Sequence, residues 1–284
     1  MFRLEIGSYV ERVIDWMTIH WAGFFGAIRE GLSAVIGWFG WLFLHIPFVL
    51  FVVLLVLLAW RVAGKGVAVF TAVGLLIIRS MNLWTQTMQT LSMITTATLI
   101  ALLIGIPLGI WMSRSEKAND IIRPILDFMQ TMPAFVYLIP AVYFFDLGEV
   151  PGTVATVIFA MPPVVRLTNL GIRQVPKDVI EASRAFGATG NQMLFKVQIP
   201  LAMPTILAGL NQTIMLSLSM VVISSMIGAK GLGIPVLNGI TQLKVGEGFE
   251  GGLAVVILAM VLDRITQGLG RFRERKDARK HSSK

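Results

Sequence analysis

Seven stretches of this chain are apolar over lengths suited to lipid: residues 47–60, 67–78, 87–112, 125–145, 154–172, 205–227 and 253–265, with room for the last to begin a few residues earlier. The hydrocarbon core of a bilayer is about 30 Å thick and takes about 20 helical residues to cross. The second stretch is short and ends at Arg79, so it reads as a span that continues past the charge while the side chain snorkels. The composition agrees. The chain has 284 residues, 55% of them hydrophobic and 14% charged, with a mean hydropathy of +0.76. Soluble domains carry about 25% charged residues. The pattern therefore predicts an all-α, polytopic membrane protein of about seven transmembrane helices. With no cysteine, disulfides, cysteine zinc sites, iron–sulfur clusters and thiol nucleophiles are excluded. The N-terminal MFRLEIGSYVERVIDW lacks the basic-then-apolar order of a signal peptide, which leaves the first span as the insertion signal.

Lysine and arginine set the orientation. Arg61 and Lys65 lie between the first two spans. Arg114, Lys117 and Arg123 follow the third, and Arg173, Lys177, Arg184 and Lys196 follow the fifth. A basic tail, residues 271–284, ends the chain. With seven spans these all fall on one side, so the basic loops and C-terminus are expected in the cytoplasm and the N-terminus outside, in a cell membrane. Arg79 is the exception. The formal charge of +8 is thus a positive-inside bias with anionic lipid headgroups as neighbours, not a nucleic-acid surface. Residues 1–44 differ. Apolar residues from Val10 to Phe39 recur at helical spacing, with Glu11, Arg12, Asp15, Arg29 and Glu30 off the stripe. This amphipathic extension is expected along the membrane surface or against the bundle.

Between the fifth and sixth spans lies EASRAFGATGNQMLFKVQIP, residues 181–200. Arg173, Lys177, Asp178, Glu181, Arg184 and Lys196 crowd this region. Burying six ionised residues in a bilayer would cost on the order of 15 kcal/mol on translocon scales. The segment is therefore outside the hydrocarbon. Its apolar residues fall in two short helical runs separated by Gly187-Ala188-Thr189-Gly190, with Pro176 and the acidic Asp178 and Glu181 near the first helix start. Two readings fit these residues alike: a compact docking element, or an ordinary structured loop.

Glu181-Ala182-Ser183, three residues, Gly187, nine residues and Val197-Gln198-Ile199-Pro200 together resemble the EAA signature of ABC importer permeases. That pattern runs Glu-Ala-Ala, three residues, Gly, nine residues, Ile-x-Leu-Pro. Ser183, Val197 and Ile199 depart from it conservatively, and the spacing is kept. IGIPLGIWMSRS, IIRPILDFMQTMPAFVYLIP and VIFAMPPVVRLTNLGI extend the resemblance to permease subunits of glycine betaine, proline betaine and choline importers. It covers most of residues 87–270. The resemblance implies a type I importer permease fold: a five-helix core over 85–270, a coupling loop over 173–204, two accessory helices over 45–84 and the extension 1–44. It also implies that Glu181, Ala182, Ser183, Gly187 and Pro200 belong to the loop that seats in a groove on an ATPase. The implied partners are a second permease copy, two ABC ATPases and an extracytoplasmic substrate-binding protein.

Other chemistry is thinner. Neither Gly64-Lys65-Gly66 nor GAKGLG at 228–233 has P-loop spacing, so the chain is expected to bind no cofactor, with ATP and magnesium used by the partner. This makes it a transport subunit and not an enzyme. His20, His45 and His281 share no metal spacing. Asp127, Asp146 and Asp263 sit near span ends, where solvation or local pairing serves them, while Arg166 is deeper and needs an internal partner. Pro133, Pro140, Pro162 and Pro163 interrupt spans four and five. They mark a pathway or gate, or they serve shape alone. GIPLG at 105–109 suits close helix packing. A quaternary ammonium compound is the expected solute, and another small solute such as an amino acid is the rival. A proton-coupled secondary carrier would need central acids, which the spans lack.

Overall fold

The computed structural model describes residues 6–282, with side chains over 7–270. Every regular element among them is helical. In chain order these are α1 (Ile6–His20), α2 (Ala22–His45), α3 (Phe48–Ala63), α4 (Lys65–Ser80), α5 (Trp84–Arg114), α6 (Glu116–Thr131), α7 (Ala134–Phe145), α8 (Glu149–Arg173), α9 (Lys177–Ala185), α10 (Gly190–Gln192), α11 (Ile199–Ser225), α12 (Gly233–Thr241) and α13 (Val245–Ser282). One π-helical turn, Met193–Gln198, joins α10 to α11. The basic tail is helical to Ser282, and its side chains lie outside the described residues.

Helices α5, α8 and α11 form the centre. Helix α5, with 31 residues, is about 46 Å long. It can lie tightly on α8 because Gly105 and Gly109 face that helix. A Cβ on Gly109 would fall 2.6 Å from the Val165 carbonyl oxygen, and one on Gly105 would fall 2.6 Å from Val164 Cγ1. The sequence GIPLG is therefore a packing seam, as its spacing suggested. Buried Thr87, Thr96, Thr156 and Ser217 return their hydroxyls to the carbonyl four residues back, whereas the buried Thr168 and Thr213 hydroxyls have no partner.

Contacts define two ends of the bundle. At the basic end, Arg114 Nη2 donates to the Gly190 carbonyl at 2.9 Å, and Arg173 reaches Glu116 at 2.7 Å. At the opposite end, Gly148 N–H donates to the Ile227 carbonyl at 2.8 Å, Leu232 N–H donates to Thr90 Oγ1 at 2.8 Å, and Phe48 meets Trp84 with ring centroids 4.7 Å apart. Helices α3 and α4 form a hairpin through Gly64. It starts beside Trp84 and turns toward the basic end, where Gly268 of α13 abuts Val62 and Ala63. Each has 16 residues, about 24 Å, which is short for a bilayer core. Flanking Arg61, Lys65 and Arg79 can reach the interface. Arg79 lies over the Phe48 ring at 5.5 Å, which accommodates its charge at the opposite end. Among the described residues, α3, α4, α5, α6 with α7, α8, α11 and α13 each pass between the two ends.

Two elements differ from the pattern in the sequence. The stretch 125–145 is not one helix. Helices α6 and α7 meet at a 100° bend. Met132 and Pro133 are both extended there, with ψ of 134° and 136°, because proline disfavours helical backbone before it and donates no hydrogen bond. Helix α2, with 24 residues, is long and apolar enough to cross a membrane, yet its contacts bring it back to the end it left. Phe25 stacks on Phe144 at 4.2 Å and Arg29 pairs with Asp146. Farther along, the chain reaches Phe48 beside Trp84 at the same end. Midway, Ser92 Oγ donates to the Ile36 carbonyl at 2.7 Å, which ties α2 to the side of α5.

From Gly190 to Ser225 the chain forms one continuous helix of 36 residues, about 54 Å long. Near its middle, Gly209 lies against α8. A Cβ there would fall 3.1 Å from Val164 Cα and 3.3 Å from the Pro163 carbonyl oxygen.

Candidate functional site: a docking hairpin and a charged cavity

Helix α8 ends where Arg173 is held fast. Its guanidinium donates to Asn169 Oδ1 at 2.9 Å, Glu116 Oε1 at 2.7 Å and the Met112 carbonyl at 2.8 Å. This fixes α8 against the α5–α6 junction just before the chain leaves the bundle. Pro176, with ψ 135°, starts α9, which buries no residue. Its C-terminus closes with Gly187 N–H on the Arg184 carbonyl at 2.9 Å and Ala188 N–H on the Ser183 carbonyl at 3.1 Å. Gly187 has φ +80°. This is the Schellman closure, whose left-handed residue favours glycine. Thr189 and Gln192 then cap the next helix reciprocally: Thr189 N–H donates to Gln192 Oε1 at 3.0 Å, and Gln192 N–H to Thr189 Oγ1 at 3.4 Å.

The result is a helix–turn–helix hairpin built to stand clear of the bundle. Glu181, Ala182 and Gly187 are exposed, Ser183 is half-buried and donates to the Val179 carbonyl at 2.7 Å, and Pro200 is exposed at the start of α11. At the tip Phe186 is 93% exposed. The capped turn thus leaves a large aromatic side chain in solvent. The sequence motif located this element but did not single out Phe186, or Arg114, which ties α5 to its base.

The prolines of spans four and five are not brought together. Pro133 makes the α6–α7 break and Pro140 lies within α7. Pro162 and Pro163 are buried in α8, where their missing N–H groups leave the Ile158 and Phe159 carbonyls without their usual helical donors. Of the four, Pro163 lines a cavity of about 550 Å³ between α6, α8 and α11. The same cavity contains Arg166 and supplies its partner: Nη2 donates to Asp127 Oδ1 at 2.5 Å. The pairing joins two elements 39 residues apart, so only the fold reveals it. Asp146 pairs with Arg29. Asp263 lies 3.9 Å from Arg264 but is held more closely by Asn211 at 2.8 Å and Gln267 at 2.7 Å. His20 and His45 each hydrogen-bond through Nδ1 to the carbonyl four residues back; the side chain of His281 lies outside the described residues.

Residues 101–276 match the family described as binding-protein-dependent transport system inner membrane component. The chain is 51% identical to the glycine betaine transport system permease protein OpuAB of Bacillus subtilis, over 94% of this chain and 95% of that one. It is 52% identical to the glycine betaine/proline betaine transport system permease protein ProW of Escherichia coli, over 94% of this chain and 76% of that one. A solved structure of the MetNI methionine ABC transporter in inward-facing conformations superimposes with a TM-score of 0.60 at 22% identity, covering 64% of this chain and 91% of that one. The last likeness concerns the fold, which is that of type I ABC importer permeases. A matched region of this extent, carrying the Glu181–Pro200 hairpin, places the chain in the binding-protein-dependent transport system inner membrane component family.

Proposed function

We propose that this chain is the membrane-spanning subunit of an ATP-driven importer of quaternary ammonium compounds, with glycine betaine, proline betaine, carnitine and choline as the solute class. The observation that carries the reading is the exposed α9–α10 hairpin at the basic end, in a chain half identical over nearly its whole length to relatives named for glycine betaine transport. The basic end faces the cytoplasm, with the C-terminus there and the N-terminus outside. Two ATPase subunits receive the hairpins of two permease copies, and a binding protein delivers solute from the far side. The chain binds no nucleotide; ATP and magnesium act on the partner. Its own task is alternating access, driven by ATPase closure transmitted through the hairpin to α5, α8 and α11.

The test is reconstitution of the permease with its ATPase and binding protein in liposomes. ATP hydrolysis and uptake should both rise with glycine betaine and loaded binding protein. Stimulation by an amino acid and not by any quaternary ammonium compound would move the solute class.

A further inference from the structure

The open cavity between α6, α8 and α11 has exposed Arg123 and Asp127 on its α6 wall and half-buried Arg166 on α8, and protein partners answer only part of this charge. Arg166 lies seven residues, about 10 Å of helix, inward from Arg173. It gives one N–H to Asp127, while its Nε–H is buried with no acceptor. Arg123 lines the same cavity, one turn before Asp127 on α6, and among the described residues it makes no hydrogen bond or ion pair. Arg173 is the contrast, with Glu116, Asn169 and Met112 around it. Asp127 remains about half exposed, at 54%. The cavity therefore has two guanidinium groups with donors to spare and one accessible carboxylate. Gln130 and Gln212 add neutral polar lining.

An anion alone would satisfy the arginines and set a second negative charge near Asp127. A cation alone would face two arginines. A small solute with both charges answers both poles. We propose that this cavity is a transit site for zwitterions, which takes the solute carboxylate on Arg123 and Arg166 and its ammonium group toward Asp127. It would thus favour carboxylate-bearing betaines over choline. The inference rests on the importer reading above and deepens it to a substrate class. The volume of about 550 Å³ admits a trimethylated amino acid. No aromatic residue lines the cavity, so the ammonium is held by charge and not by a ring face, and binding is weak, as a site on a transport route requires.

The test uses the permease–ATPase complex in liposomes, with labelled glycine betaine as the probe and no binding protein. Wild type should bind it weakly. Unlabelled betaines should displace it, while choline, which has the same ammonium group and no carboxylate, should not. Arg123→Gln removes a side chain with no described partner, so membrane amount and ATPase co-purification should hold while affinity falls about tenfold, as for loss of one charge-assisted hydrogen bond. Equal displacement by choline, or wild-type affinity in Arg123→Gln, would overturn the proposal. So would an effect of Arg123→Gln that vanishes without phosphatidylglycerol, since the arginines would then hold a lipid phosphate. Uptake with binding protein separates the two levels. Normal glycine betaine uptake by wild type with unchanged binding in Arg123→Gln sinks the site and leaves the importer standing. No uptake of any trimethylammonium solute by wild type sinks both.

Discussion

Gly187 and Gly109 are both glycines by necessity, for different reasons. Gly187 has φ +80° with nothing within 4 Å of a Cβ, so a substitution there strains the backbone without creating a clash. Positions of this kind cost about 1–3 kcal/mol. Gly187→Asp should leave the permease in the membrane at near-normal amount, by immunoblot, while co-purified ATPase and uptake fall sharply. Gly187→Asn, which tolerates the same backbone without the charge, should lose less, and Glu181→Lys should also be milder than Gly187→Asp. Full retention of the ATPase with normal uptake in Gly187→Asp would remove the hairpin from the coupling role. Gly109 is the opposite case: a Cβ would fall 2.6 Å from the Val165 carbonyl. Gly109→Leu should push α5 off α8 and destabilise the purified permease by about 1–3 kcal/mol, as overpacking does. Thermal unfolding in detergent measures this, and an unchanged midpoint would mean the seam is loose.

At the scale of whole elements, hydropathy and connectivity disagree about α2. Its length and apolarity fit a span, while the stacking of Phe25 on Phe144 and the position of Phe48 beside Trp84 return it to one end. The chain has no cysteine, so introduced ones report cleanly. An impermeant maleimide should label cysteines at Gly23, Leu44 and Glu149 from one side of the membrane and reach one at Thr189 only from the other. Labelling of Gly23 and Leu44 from opposite sides would make α2 a span. Apolar runs and loop charges made the long helices and the basic end legible in the sequence, because burial in lipid demands them residue by residue. The 100° bend was not legible as such. Pro133 announced an interruption, but its angle depends on what α6 and α7 pack against. The Schellman turn at Gly187 was half legible: glycine permits it, and the hydrogen bonds from Gly187 and Ala188 complete it. The Arg166–Asp127 pair could be anticipated only as a need, since nothing local joins α8 to α6.

For the molecule as a whole, the parts divide the labour of transport. The bundle supplies a packed centre of α5, α8 and α11, the exposed hairpin projects from its basic end, and no phosphate-cradling loop occurs in the sequence. The purified chain, freed of any ATPase, should release no phosphate from ATP, while the assembled complex should. Turnover by the chain alone, in a preparation shown by mass spectrometry to lack ATPase subunits, would contradict this division. The continuous helix from Gly190 to Ser225 adds a mechanical consequence. It touches α8 backbone to backbone at Gly209, about 28 Å from its hairpin end and 24 Å from its far end at helical rise. Close contacts recur toward both ends, where Gly171 of α8 faces Ala202 and Gly152 faces Ser224, so the two helices form one stiff pair. A push on the hairpin would therefore carry α8 and α11 together, and a displacement at one face of the membrane would arrive at the other without being absorbed between them.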